Sequence, residues 1–107
     1  MPVDSPPPVD STATASTATV PDLQRLIGDR VIIDASSRYV FLGQLQEQTA
    51  LFVILVEADA HDLRDTSTTR DSYVLDARRH GITANRREVW VRIDEIVAIA
   101  RLSDVVV

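Results

Sequence analysis

In the stretch Val89-Trp90-Val91-Arg92-Ile93-Asp94-Glu95-Ile96-Val97-Ala98-Ile99, Val89, Val91 and Ile93 alternate with Trp90, Arg92 and Asp94. That period of two belongs to a strand buried on one face. Asp94 and Glu95 then supply a tight polar turn, and residues 96–102 supply a further apolar strand. Working back from this hairpin, the same period and a high β-branched content start at Asp29. They predict a first strand at Arg30–Ala35, a second at residues 38–46 and a third at residues 51–58. Gly43 interrupts the second strand where a missing side chain permits a sharp bend or bulge. The unbroken run Leu51-Phe52-Val53-Ile54-Leu55-Val56 requires cover on both faces, from a sheet that curls over itself or from another chain.

Before the strands, Pro21 and Asp22 open a short helix of about two turns. Leu23, Leu26 and Ile27 form one apolar stripe, and Gly28 ends the helix in a left-handed conformation. Residues 1–20 are mostly Pro, Ser, Thr and Ala without Leu, Ile or an aromatic ring, so they read as a disordered tail. Residues 59–85 read as a polar insertion between strands three and four: a loop first, then a helix capped by Thr68 or Thr69, with Tyr73 and Ala77 on one side and Gly81 as its stop. An extended run at residues 73–75 is the rival for that segment. Five short antiparallel strands at residues 21–107, with a helix on top, outline a mainly β small barrel whose closure removes the sheet edges.

The chain of 107 residues holds one domain, and its lack of cysteine excludes disulfide scaffolds, zinc ribbons, iron–sulfur clusters and thiol nucleophiles. All 11 basic residues are arginine, against 16 acids, and the net charge of −5 argues against a protein that coats nucleic acid over its whole surface. The N-terminus has no signal-peptide pattern, and the apolar run at 50–56 is far short of the roughly 20 residues of a membrane helix. A soluble, cytoplasmic protein without membrane contact is expected.

Leu26, Gly28, Val31, Gly43, Leu45, Phe52, Val56 and Glu57, followed by the 89–99 stretch, resemble the two motifs of the Sm and LSm family, which includes the bacterial protein Hfq. The resemblance covers residues 21–102 apart from the insertion, and a PRC-type small barrel is the rival. It implies a homo-hexamer or homo-heptamer ring in which strand four of one copy pairs with strand five of the next, with single-stranded RNA around the pore. It places base stacking on Phe52, sets Thr49 where the family often has an acid, and retains the motif arginine as Arg92. Val53 stands at the position of the base-reading asparagine, and Ile93 replaces a glycine, so uridine readout of the eukaryotic kind is not expected.

Arg78, Arg79, His80, Arg86 and Arg87 form the local basic cluster, and a guanidinium fork suits phosphate. Asp71, Asp76 and Glu88 stand close enough in sequence to pair with them, which makes a solvated salt-bridge surface the favoured reading and phosphate contacts by Arg78, Arg79, Arg86 and Arg87 the alternative. His61 among Asp59, Asp62 and Asp65 matches no metal-site spacing, so no metal or other cofactor is expected. Ser36, Ser37, Ser103 and His80 lie in no nucleophile-elbow or base-activating motif, and the three glycines are isolated, so no enzyme is expected. Trp90 reads as core or subunit-interface packing. The function expected is a ring-forming, non-catalytic Sm-like binding module for single-stranded RNA. An oligomeric protein–protein scaffold that has lost RNA binding is the alternative.

Overall fold

A computed structural model describes residues 21–65 and 69–107. The tail at 1–20 and Thr68, one of the two expected helix caps, lie outside the described residues. The chain forms β1 (Arg30–Ala35), β2 (Tyr39–Gln48), β3 (Phe52–Asp62), α1 (Arg70–His80), β4 (Arg86–Arg92) and β5 (Ile96–Arg101). The strands make one antiparallel sheet in the order β4-β3-β2-β1-β5. Five antiparallel strands with a helix between the third and fourth is the architecture expected from the sequence. Closure is different: β4 and β5 each have one neighbour, so the described chain keeps two sheet edges.

The bend sits where Gly43 was expected to place it. A Cβ there would lie 3.0 Å from the Ala58 Cβ and 3.2 Å from both the Ala58 Cα and the Leu55 Cβ. The β2–β3 register shifts between Leu42 and Gln44 at this point, with the extra residue on β3. Glu57, inside that bulge, takes φ 48, a left-handed conformation that a side chain disfavours. Curling the sheet gathers Val31, Ile33, Leu45, Val53, Leu55, Ala58 and Val91 into an inner cluster.

The opposite face of β1 and β2 carries a second cluster. Ile32, Val40 and Leu42 pack with Val74 and Ala77 of α1 and with Leu102. Helix α1 forms as expected, because the Thr69 hydroxyl accepts from the Ser72 N–H and Gly81, at φ 90, ends the last turn. The extended rival at 73–75 is excluded. Three further contacts hold α1 on the sheet. Arg70 donates from Nε and Nη2 to the two carboxylate oxygens of Asp34 at 2.5 Å each, the Tyr73 hydroxyl donates to Asp59, and the Tyr73 ring stacks on His61 at 4.4 Å between centroids. Burial, then the Asp59 contact, pushes the Tyr73 phenol well above its usual pKa.

Two expected elements change. The loop expected from residue 59 is instead the end of β3, where Leu42, Phe41, Val40 and Tyr39 pair with Asp59, Ala60, His61 and Asp62. These polar residues stay in the strand because β2 is long enough to bond them and Tyr73 covers Asp59 and His61. The expected two-turn N-terminal helix is a single 3-10 turn, Gln24–Leu26, followed by Gly28 at φ 94. Gln48 reaches across to accept the Leu23 N–H at 2.9 Å and donate to the Pro21 carbonyl, and Asp22 accepts the Gln24 N–H. The turn ends because the Gly28 N–H donates to the Leu45 carbonyl at 2.7 Å and the Asp29 carbonyl accepts the Leu45 N–H at 2.9 Å, which draws the chain into the sheet. Among the described residues no helix is long and apolar enough to cross a membrane.

Gly43→Ala is expected to destabilise the chain by about 1–3 kcal/mol, because the new methyl meets the backbone of β3. Glu57→Gly is expected to stabilise it by about 1 kcal/mol through relief of the left-handed strain. Urea denaturation followed by circular dichroism measures both.

Candidate nucleic-acid interface

The β2–β3 turn is built by Thr49. Its Oγ1 accepts the Phe52 N–H at 3.0 Å and the Leu51 N–H at 3.3 Å, and its backbone N–H donates to the Phe52 carbonyl at 2.8 Å. The turn thereby places Phe52 directly opposite Arg92 in the β3–β4 ladder. The backbone of Ile93 also bonds back to it, N–H to the Leu51 carbonyl at 2.8 Å. Thr49, Phe52 and Arg92, far apart in sequence, thus meet at one end of the sheet. Leu51, which the sequence marks only as part of an apolar strand, protrudes beside them with 59% of its surface exposed.

The chemistry of that end is constrained. Phe52 is half-buried and its ring meets the Trp90 ring edge to face at 5.6 Å. Trp90 is 54% exposed on the outer edge strand, with its indole N–H donated to Glu88 at 2.6 Å, so it is not the core residue that one of its two sequence readings allowed. Val53 is fully buried in the inner cluster and presents nothing to a base edge. Arg92 donates from Nε and Nη2 to Asp94 at 3.1 and 2.8 Å. This hydrogen-bonded pairing holds the Asp94 carboxyl below its usual pKa and raises that of Arg92.

The arginines of the second cluster lie elsewhere. Arg78 and Arg79 occupy the last turn of α1, and Arg86 and Arg87 open β4. With Arg86 opposite Ala58 and Arg92 opposite Phe52, the two groups stand at opposite ends of β4, roughly 20 Å apart at about 3.3 Å per residue. The expected salt-bridge surface does not form among the described residues. Asp71, about two turns of helix before Arg78, lies 3.5 Å from Arg70, Glu88 bonds Trp90, and Asp76, three residues before Arg79 on α1, makes no ion pair among the described residues. Arg86 donates to the Asn85 carbonyl at 3.1 Å, while Arg78, Arg79 and Arg87 have no ion-pair partner among the described residues.

Asp59 and His61 are engaged by Tyr73, and Asp62 accepts from Arg64 Nη2 at 2.7 Å. Among the described residues no three potential metal ligands converge. Ser36 donates its hydroxyl to Glu95 at 2.6 Å, a link between the β1 end and the β4–β5 turn.

Hydrogen bonds from the Arg64 side chain and backbone lower the Asp62 carboxyl from 3.8 to about 2. A carboxyl depressed in the folded state adds stability that is present above 3.8 and is lost as the pH falls through about 2. Asp62→Asn is therefore expected to lose less stability than the parent between those values, as read by acid titration of the circular dichroism signal. Thr49→Ala is expected to cost about 1 kcal/mol in urea denaturation, from the turn hydrogen bonds it removes.

No family model matches the chain, and no curated protein matches it. Among solved structures the chain is similar to the Sm protein of Pyrococcus abyssii in complex with a uridine heptamer. The identity is 18% and the TM-score 0.49, over 73% of this chain and 89% of that one. The likeness is a loose one, and the architecture rests on the strand order, register and core described above.

Proposed function

We propose that the chain is a non-catalytic, Sm-like subunit that assembles edge to edge into a homo-oligomeric ring in the cytoplasm, β4 of one copy pairing with β5 of the next. The observation that carries this reading is the pair of unpartnered edge strands. β5 is Ile96-Val97-Ala98-Ile99-Ala100-Arg101 with Val97 70% exposed, and β4 exposes Trp90. β5, without a charge before Arg101, is adhesive unless another strand covers it, and β4, although it carries Arg86, Arg87, Glu88 and Arg92, offers the exposed Trp90 and an open row of backbone groups to pair with it. A ring of six or seven copies covers every edge with the same contact.

In this reading single-stranded RNA approaches the end of the sheet where Thr49 shapes the turn, Phe52 offers an aromatic ring for stacking, and Arg92 offers a guanidinium for phosphate. Readout is sequence-tolerant, because Val53 brings no donor or acceptor. Arg92 must exchange Asp94 for a phosphate to take part. The buried Val53 and the Arg92–Asp94 pair equally favour the second reading, an oligomeric scaffold of the same fold without RNA binding.

Light scattering coupled to gel filtration is expected to give a mass six or seven times 11.8 kDa, whereas a clean 11.8 kDa species overturns the ring. Fluorescence anisotropy with U-rich, A-rich and mixed oligonucleotides then separates the two readings. Binding weakened by Phe52→Ala or Arg92→Ala, and strengthened by Asp94→Asn, is expected for the RNA module. An intact oligomer that binds none of them is the scaffold.

A further inference from the structure

We infer that the open groove between α1 and the sheet is a contact site for the phosphodiester backbone of single-stranded nucleic acid. It is separate from the Phe52–Arg92 end and independent of whether the chain forms a ring. The groove has a volume of 750 Å³, and Arg30 of β1 lines it together with Arg78 and Arg79 of α1. Arg30 is remote from the other two in sequence, and only the packing of α1 over β1 and β2 brings the three guanidinium groups to one surface.

The charge balance there favours an anion. None of these three arginines has an ion-pair partner among the described residues. Of the two carboxylates in the lining, Asp29 is neutralised by Arg101 at 2.7 Å, which leaves Glu57 alone against three cations. The C-terminus of α1 contributes about half a negative charge, enough to favour arginine in the last turn but short of neutralising three side chains. Glu57 is also the residue held in a left-handed conformation, and strain of that kind concentrates at functional surfaces.

The layout favours a polyanion over a single phosphate. Ala84 lines the groove, and the chain then enters β4 with Arg86 and Arg87, beside Ala58 and the Glu57 bulge. Asn85 fixes this crossing, its side chain bonded to the backbone N–H and carbonyl of Ala60 at 3.0 and 3.1 Å. Arg86, on the face of β4 it shares with Glu88 and Trp90, extends the cationic surface one step beyond the groove, while Arg87 falls on the other face. No aromatic ring lines the groove, since Phe52 and Trp90 stand toward the other end of β3 and β4. A strand held here is gripped by its phosphates and not read by its bases.

The test uses the full chain and a fluorescein-labelled, mixed-sequence single-stranded RNA in anisotropy titrations over a range of salt. The double variant Arg78→Ala/Arg79→Ala, altered only at exposed helix positions, is expected to weaken binding by about tenfold or more. It should also flatten the dependence of log affinity on log salt by about 1.4, two phosphate contacts at about 0.7 each. Arg78→Lys/Arg79→Lys should keep most of the slope, and Glu57→Gln should tighten binding. Unchanged affinity and slope in the double alanine variant overturn the proposal, as does poly-glutamate binding as tightly as RNA at the same salt, which would assign the surface to an acidic protein segment. Sensitivity to Phe52→Ala or Arg92→Ala without sensitivity to Arg78→Ala/Arg79→Ala overturns the groove and leaves the pore reading intact.

Discussion

The close approach of β2 to β3 at Gly43 is the constraint on which the rest of this molecule depends. With the prospective Cβ position already 3.0 Å from Ala58, only a hydrogen fits there, and the two strands can cross tightly enough to curl the sheet. The curl turns Val31, Ile33, Leu45, Val53, Leu55 and Val91 toward one another, so a single sheet supplies both walls of its own core. The left-handed Glu57 lies in the bulge that accommodates the crossing, which places the backbone strain beside the bend.

Curling one sheet has two consequences. The outer face of β1 and β2 remains apolar through Ile32, Val40 and Leu42, and α1 covers it, fastened by Arg70 to Asp34 and by Tyr73 to Asp59 and His61. The arginines of the α1 C-terminus are thereby carried over Arg30. The second consequence is that the sheet stops short of closure and leaves β4 and β5 as edges with Trp90 and Val97 exposed.

Much of this was legible in the residues because it is local. The limits of β1, the Thr69 cap and the Gly81 stop are set by residues within a few positions of the structure they cause, and the bend is marked by Gly43 standing inside a strand. What was not legible depends on partners distant in sequence. The polar end of β3 is held by Tyr39 and Val40 across the hairpin and by Tyr73 above it. The first helix shrinks to one turn because Gly28 and Asp29 bond the backbone of Leu45 across the sheet. The neighbouring acids were expected to neutralise the arginine cluster. Instead helix rise separates Asp71 from Arg78, Glu88 turns to Trp90, and Asp76 forms no ion pair with Arg79 although the two stand three residues apart on α1. Arg30 joins Arg78 and Arg79 through packing alone, which no spacing along the chain announces.

Edge-to-edge assembly would cover β4 and β5 with other copies of this chain. Hydrogen exchange of their backbone amides, followed by mass spectrometry across a range of protein concentration, tests it most directly. Protection in β4 and β5 is expected to rise with concentration toward that of β3, which is paired on both sides within one chain. Rapid exchange of both edge strands at every concentration, with β3 protected, would contradict it.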